Sequence, residues 1–248
     1  MGQSARERGG PVVIPSLQGT LKASGRGVRV GLLDTGVASM HPQLRSANLK
    51  NYEVSATSPW HIERLGEGKD YRDHGTACAG ILHRHAPDAE IHSVCVINDS
   101  RDELLQRLIA GLRFAIAQQW DEINFSLGTR IDSPDLAVRF DKANQALQIL
   151  IAAKDYEGSV VGYPAAYPSV IGVDMDHFDA PLEFAYDPGE EIELTANGVY
   201  IAAPQPGGGT HHYTGTSYAC PHISAVAARL RELASSMTTS DFRQVLAT

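Results

Sequence analysis

Three residues with the side chains of a nucleophilic hydrolase stand far apart in the chain, each inside its own short motif. Asp34 lies in Asp34-Thr35-Gly36, His74 in His74-Gly75-Thr76 and Ser217 in Gly215-Thr216-Ser217. A serine hydroxyl is a weak nucleophile at neutral pH. It needs an imidazole to take its proton during attack and return it to the leaving group, and the imidazole needs a carboxylate to fix its tautomer. Singly, each residue has a plainer use: an aspartate after a strand forms a turn, a histidine packs in a core, and a serine caps a helix. Together, in this order, they supply an orienting acid, a general base and a nucleophile.

The elements that must hold them can be read from the apolar pattern. Val28 to Leu33, Glu90 to Val96, Glu122 to Ser126, Gln148 to Ala153 and Ser169 to Val173 are short β-prone runs of the kind buried on both sheet faces. Asp34 therefore sits where a parallel strand ends, the edge at which open α/β sheets build sites. Helical stripes fall between the runs, over Arg101 to Gln119 with Asp99 or Ser100 as cap, Pro134 to Leu147, Thr216 to Leu233 and Thr239 to Leu246 with Ser240 as cap. The segments after His74 and Ser217 are rich in small residues, which let a helix approach a sheet closely. This alternation predicts an α/β fold of three layers, a mostly parallel central sheet with helices on both faces. Residues 1–24, rich in Gly, Pro, Ser and Arg, are read as a partly disordered N-terminal arm, and 25–248 as a single domain. The stretch from Asn51 to Lys69 is read as a long surface loop and Pro204 to Tyr213 as a glycine-rich turn.

Composition removes several classes. A chain of 248 residues with 43% hydrophobic side chains can bury a full core unaided. No apolar run reaches the roughly 18 residues of a membrane span, and Met1 to Arg6 lacks the apolar core of a secretion signal. The formal charge of -8 repels nucleic-acid phosphate. Cys78, Cys95 and Cys220 are an odd number of thiols and make no disulfide framework. A cytoplasmic enzyme without nucleic-acid or membrane partners is expected, the alternative being a mature secreted fragment; the sequence leaves the oligomeric state open.

The three motifs, together with Ile123-Asn124-Phe125-Ser126-Leu127-Gly128 and the segment Gly162-Tyr163-Pro164-Ala165-Ala166-Tyr167, resemble the subtilisin-like serine proteases from about residue 27 to 234. The resemblance implies a serine endopeptidase acting on a peptide or unfolded protein through an Asp34–His74–Ser217 triad, with no cofactor. It implies that substrate lies extended along Ser126, Leu127 and Gly128, and that the first specificity pocket is walled by those residues, Ala152, Ala153, Lys154 and Gly162. His41 to Leu49 and Pro206 to Thr210 look like the proteases that trim cyanobactin precursors, which implies processing of a biosynthetic precursor peptide, with broad degradation as the alternative within the class.

The chain also departs from that family. Where subtilases carry an oxyanion-hole asparagine preceded by glycine, it has Lys154-Asp155. With Asp155 and the Ser217 amide forming the oxyanion hole, a carboxylate stands where a donor belongs, and losing such a donor costs about 10²–10³ in rate. The alternative reading is a weakly active or inactive relative that grips peptides. Cys78 falls beneath the histidine, as in thiol-containing proteinase K relatives, and a small buried hydrophobe is the plainer reading. The short connection from Ile81 to Ile91 leaves no room for the family's calcium loop, so no metal site is expected. Asp70, Asp73 and Asp88 are read as solubilising acids, and His83, His85, His211 and His212 as surface histidines.

Overall fold

The computed structural model describes residues 22–55, 59–98, 103–154 and 161–247. Residues 1–21, the proposed Asp99 or Ser100 cap and Asp155 lie outside them. Among the described residues a nine-stranded sheet runs in the order β3-β2-β4-β1-β5-β6-β7-β9-β8. The strands are β1 (Arg29–Asp34), β2 (Asn48–Val54), β3 (Ile62–Leu65), β4 (Glu90–Cys95), β5 (Glu122–Phe125), β6 (Ile149–Ala153), β7 (Ile171–Asp176), β8 (Phe184–Tyr186) and β9 (Leu194–Asn197). Internal pairings are parallel; only the outer strands β3 and β8 run antiparallel to their neighbours.

The period of two along β1 sorts its side chains between two cores. Val30 and Leu32 pack with Cys78, Ala79 and Leu82 of α1 (Gly75–His85) and with Ala225 and Ala228 of α4 (Thr216–Leu233). Leu33 points to the opposite face, where Leu108 and Leu112 of α2 (Leu104–Ala117) and Leu136 and Phe140 of α3 (Pro134–Gln145) cover the sheet. A third cluster joins β6 and β7 to α4 and α5 (Thr239–Leu246). The three layers expected from the alternation are present.

Several local readings are corrected. Asn51 to Lys69 is not one loop: its first residues complete β2, which pairs with β3 in a hairpin at the sheet edge. Both strands are half exposed and polar, so they lack the apolar runs that reveal central strands. The glycine-rich stretch is a hairpin of β10 (Ile201–Pro204) and β11 (Thr210–Tyr213) whose turn is confined to 205–209. The cap of α5 is Thr238, in a reciprocal capping box with Asp241, rather than Ser240. At the N-terminal end, the amides of Ser24, Gly25 and Arg26 all donate to Glu232 Oε2 at 2.7–2.9 Å, so the chain is tied to α4 from Ser24 onward. No helix among the described residues is long and apolar enough to cross a membrane.

Candidate active site

From β1 the chain winds through β2 and β4 on one side of the sheet and then crosses to β5, β6 and β7 on the other. The carboxyl end of β1 is thus the place where connections diverge and leave a crevice. Asp34, its last residue, is fully buried there. Its Oδ1 accepts from the Thr35 amide at 2.7 Å and lies 2.7 Å from His74 Nδ1. A carboxylate can only accept, so Nδ1 carries the proton and Nε2 is left as the basic nitrogen.

Two glycines allow this approach. Gly36, at φ +89°, turns the chain away from Asp34; a Cβ there would stand 2.1 Å from the Lys69 carbonyl oxygen. A Cβ on Gly75 would stand 2.2 Å from the Gly36 carbonyl oxygen and 3.2 Å from Asp34 Cβ. His74 occupies the N-cap position of α1 without capping it, which leaves its ring for Asp34.

Ser217 stands half-buried in the first turn of α4, where free amides and the positive end of the helix dipole favour an anion. Pro221 follows four residues on and has no N–H to bond the Ser217 carbonyl. Cys78 Sγ, buried in α1, lies 3.5 Å from that carbonyl oxygen and 3.8 Å from His74 Nδ1, so one thiol joins the two helices beneath the site. The Tyr218 ring covers one side of His74 at 5.3 Å between centroids. Among the described residues no hydrogen bond joins Ser217 Oγ to the imidazole, a link that in unliganded hydrolases is often long and tightens with substrate.

Burial works against the His74 cation, but the adjoining Asp34 carboxylate and Cys78 together outweigh it and hold the His74 pKa well above the ordinary 6.5. Desolvation raises the Cys78 thiol above its usual value, so at neutral pH it is a neutral S–H. Asp34, His74 and Cys78 offer ligand atoms within 4.8 Å of one another, the grouping of potential metal donors found among the described residues. These atoms are already engaged in the contacts just described.

The residues expected to bind substrate fall on three segments. Ser126 and Leu127 are buried and Gly128 exposed, in an extended stretch beyond β5; Thr129 then exchanges backbone hydrogen bonds with Tyr163 at 2.7 and 2.8 Å. That exchange sets the segment of buried Gly162 beside 126–128. Ala152 and Ala153 are buried at the end of β6, and the Lys154 carbonyl accepts from Thr216 Oγ1, one residue before Ser217. The Lys154 ammonium pairs with Asp174 at 2.8 Å.

Three of the polar residues stand otherwise than the sequence suggests. Asp70 is only 8% exposed and accepts hydrogen bonds from Thr35 and Thr76; its place four residues before His74 was the available signal. His83 and His85 are both half-buried rather than solvated, His83 with its Nε2 2.9 Å from Ser46 Oγ and His85 against the ring of His222 at 5.2 Å.

An α/β sheet with an aspartate at its switch point, a histidine bonded to it and a serine at a neighbouring helix N-terminus is the arrangement of a serine hydrolase. The model of the subtilase family matches residues 25–248, and the chain belongs to that family. It is 31% identical over 237 residues to subtilisin E of Bacillus subtilis (strain 168), covering 90% of this chain but 60% of that protein's length. It is 31% identical over 235 residues to an intracellular serine protease of Paenibacillus polymyxa, covering 89% of this chain and 71% of that protein. Among solved structures, the prenylagaramide maturation protease PagA superposes with TM-score 0.70 at 25% identity, covering 89% of this chain and 82% of that one.

Proposed function

We propose that the chain is a serine endopeptidase that hydrolyses extended peptide or unfolded protein through an acyl-enzyme. The observation that carries this reading is the 2.7 Å contact between Asp34 Oδ1 and His74 Nδ1, which leaves Nε2 basic beside the helix that bears Ser217. In the proposed mechanism His74 takes the Ser217 proton as Oγ attacks the carbonyl, then passes it to the leaving amine; water reverses the sequence to release the acid. Asp34 stabilises the imidazolium in both halves. The Ser217 amide, with Asp155 as the second group of the oxyanion hole, faces the developing negative charge.

Within that activity, the substrate we propose is a precursor peptide trimmed during biosynthesis. Likeness to the prenylagaramide maturation protease supports this, together with the motifs at 41–49 and 206–210. Labelling by a fluorophosphonate probe, abolished in Ser217→Ala, is the expected result. Removing Ser217 and His74 together should cost about as much as removing either alone, because the residues act as a unit. Losses that multiply, or peptide binding without any labelling, would sink the reading.

A further inference from the structure

The proposed acid and base sit on separate elements, Asp34 at the end of β1 and His74 at the start of α1. Among the described residues no disulfide fixes one against the other, all three cysteines being free. A proton transfer that depends on their alignment is sensitive to shifts of about 1 Å, which can cost roughly 100-fold in rate. Some other group must therefore hold the turn after Asp34 against the first turn of α1.

The hydrogen bonds converge on Asp70. Its Oδ1 accepts from Thr35 Oγ1 at 2.7 Å and from the Arg72 amide at 3.1 Å. Its Oδ2 accepts from the Thr76 amide at 2.8 Å and from Thr76 Oγ1 at 2.7 Å. Each hydroxyl then takes a second bond. Thr35 Oγ1 accepts from the Gly75 amide at 2.9 Å, and Thr76 Oγ1 accepts from the Ala38 amide at 2.9 Å. Thr35 follows Asp34, and Gly75 follows His74. The amides of Gly75 and Thr76, which a helix start normally leaves for its own cap, are thus satisfied by Thr35 and Asp70.

We propose that Asp70 is the positioning residue of the Asp34–His74 pair, acting through Thr35 and Thr76. The arrangement relieves His74 of capping duty and sets the distance between β1 and α1. Both carboxylate oxygens are used as acceptors by buried donors, so the group is not replaceable by an amide: Asp70→Asn turns one acceptor into a donor facing either Thr76 or Thr35. Thr35→Val keeps shape and removes only the hydroxyl, stranding the Gly75 amide and one Asp70 bond. This inference rests on the hydrolase reading for its effect on rate but not for its effect on geometry.

The test has two arms. Turnover of a peptide substrate is measured per active site titrated by fluorophosphonate, so that unfolded protein is not counted. Both Thr35→Val and Asp70→Asn should lower kcat by about 10- to 100-fold with KM within about two-fold, Thr35→Ser should recover most of it, and the double variant should lose no more than the worse single. The second arm records the low-field proton resonance of the His74 Nδ1–H in a Ser217→Ala background, where it should broaden or shift in both variants and return in Thr35→Ser. An unchanged resonance in Thr35→Val, or kcat per site within two-fold of wild type, overturns the proposal. A perturbed resonance together with no labelling of the protein that retains Ser217 would leave Asp70 its role and refute the hydrolase reading instead.

Discussion

His74 sits in a buried place that disfavours its cation, yet the Asp34 carboxylate beside it raises its pKa above the ordinary value. The sign of the consequence is clear: the base must be neutral, so activity is lost as pH falls through that raised pKa. The acid limb of kcat/KM is expected above pH 6.5, and Asp34→Asn should lower kcat on the order of 10⁴-fold, chiefly by freeing the wrong tautomer. A limb at or below pH 6.5 would deny the coupling. Asp155 poses the opposite problem, since in the proposed oxyanion hole it helps only as a neutral acid, whose fraction falls as pH rises. Asp155→Asn is expected to speed cleavage near pH 8, by about 10-fold or more where the full donor is restored, with KM little changed. Kinetics from pH 6 to 9 that show no gain would remove Asp155 from the oxyanion hole.

At the scale of elements, the site depends on how closely α1 approaches its neighbours. Small residues make that approach possible, and Gly80 is the clearest case: a Cβ there would stand 2.2 Å from Pro204 Cγ at the end of β10. Gly80→Ala should therefore push the β10–β11 hairpin off α1 and cost about 1–3 kcal/mol through overpacking. For a domain of this size that is a fall in Tm of roughly 2–12 °C by calorimetry. An unchanged Tm would mean the hairpin moves freely. The same logic explains why α4 contains a proline: where Pro221 withholds its N–H, the thiol of Cys78 meets the Ser217 carbonyl, and the two site helices are joined side by side.

For the molecule as a whole, buried ionisable groups set the pH range of stability from both sides. Burial holds His222 down to about 3 and His85 down to about 4, each also repelled by neighbouring positive charge. As pH falls from about 6.5, the unfolded chain takes these protons before the folded one, so stability is lost on the way down to pH 3–4. Glu122 acts in the other direction. It is fully buried at the start of β5, and desolvation raises its pKa well above the carboxylate range, only partly offset by Ser224 and the Arg231 charge. The unfolded state therefore ionises first as pH rises from about 4.5, and stability falls until Glu122 itself ionises. Glu122→Gln is expected to raise Tm more at pH 8 than at pH 5, whereas His222→Gln should flatten the fall in Tm between pH 6.5 and 4. Parallel shifts at all pH values in both variants would show that neither group titrates on unfolding.

Strands buried along most of their length, such as β1, β4, β5, β6 and the first half of β7, carry mainly apolar residues, and that made the sheet core and the turn bearing Asp34 legible in the sequence. Helix α4 was read over its observed span because its small residues contrast with the polar segments on either side. The half-exposed β2 and β3, and the short strand β8 that borders β9, carry no such run, so their pairing emerges only when the sheet offers them an edge. Asp70 marks the same boundary. In one dimension an aspartate among Lys69, Tyr71 and Arg72 has the composition of a solvated turn, and only the folded chain, by bringing Thr35 and Thr76 to its two oxygens, turns it into a buried acceptor. Residue types and their order determined which chemistry this protein can attempt. Which polar groups lose water and which find partners depends on contacts between residues distant in sequence, and only the tertiary structure decides those.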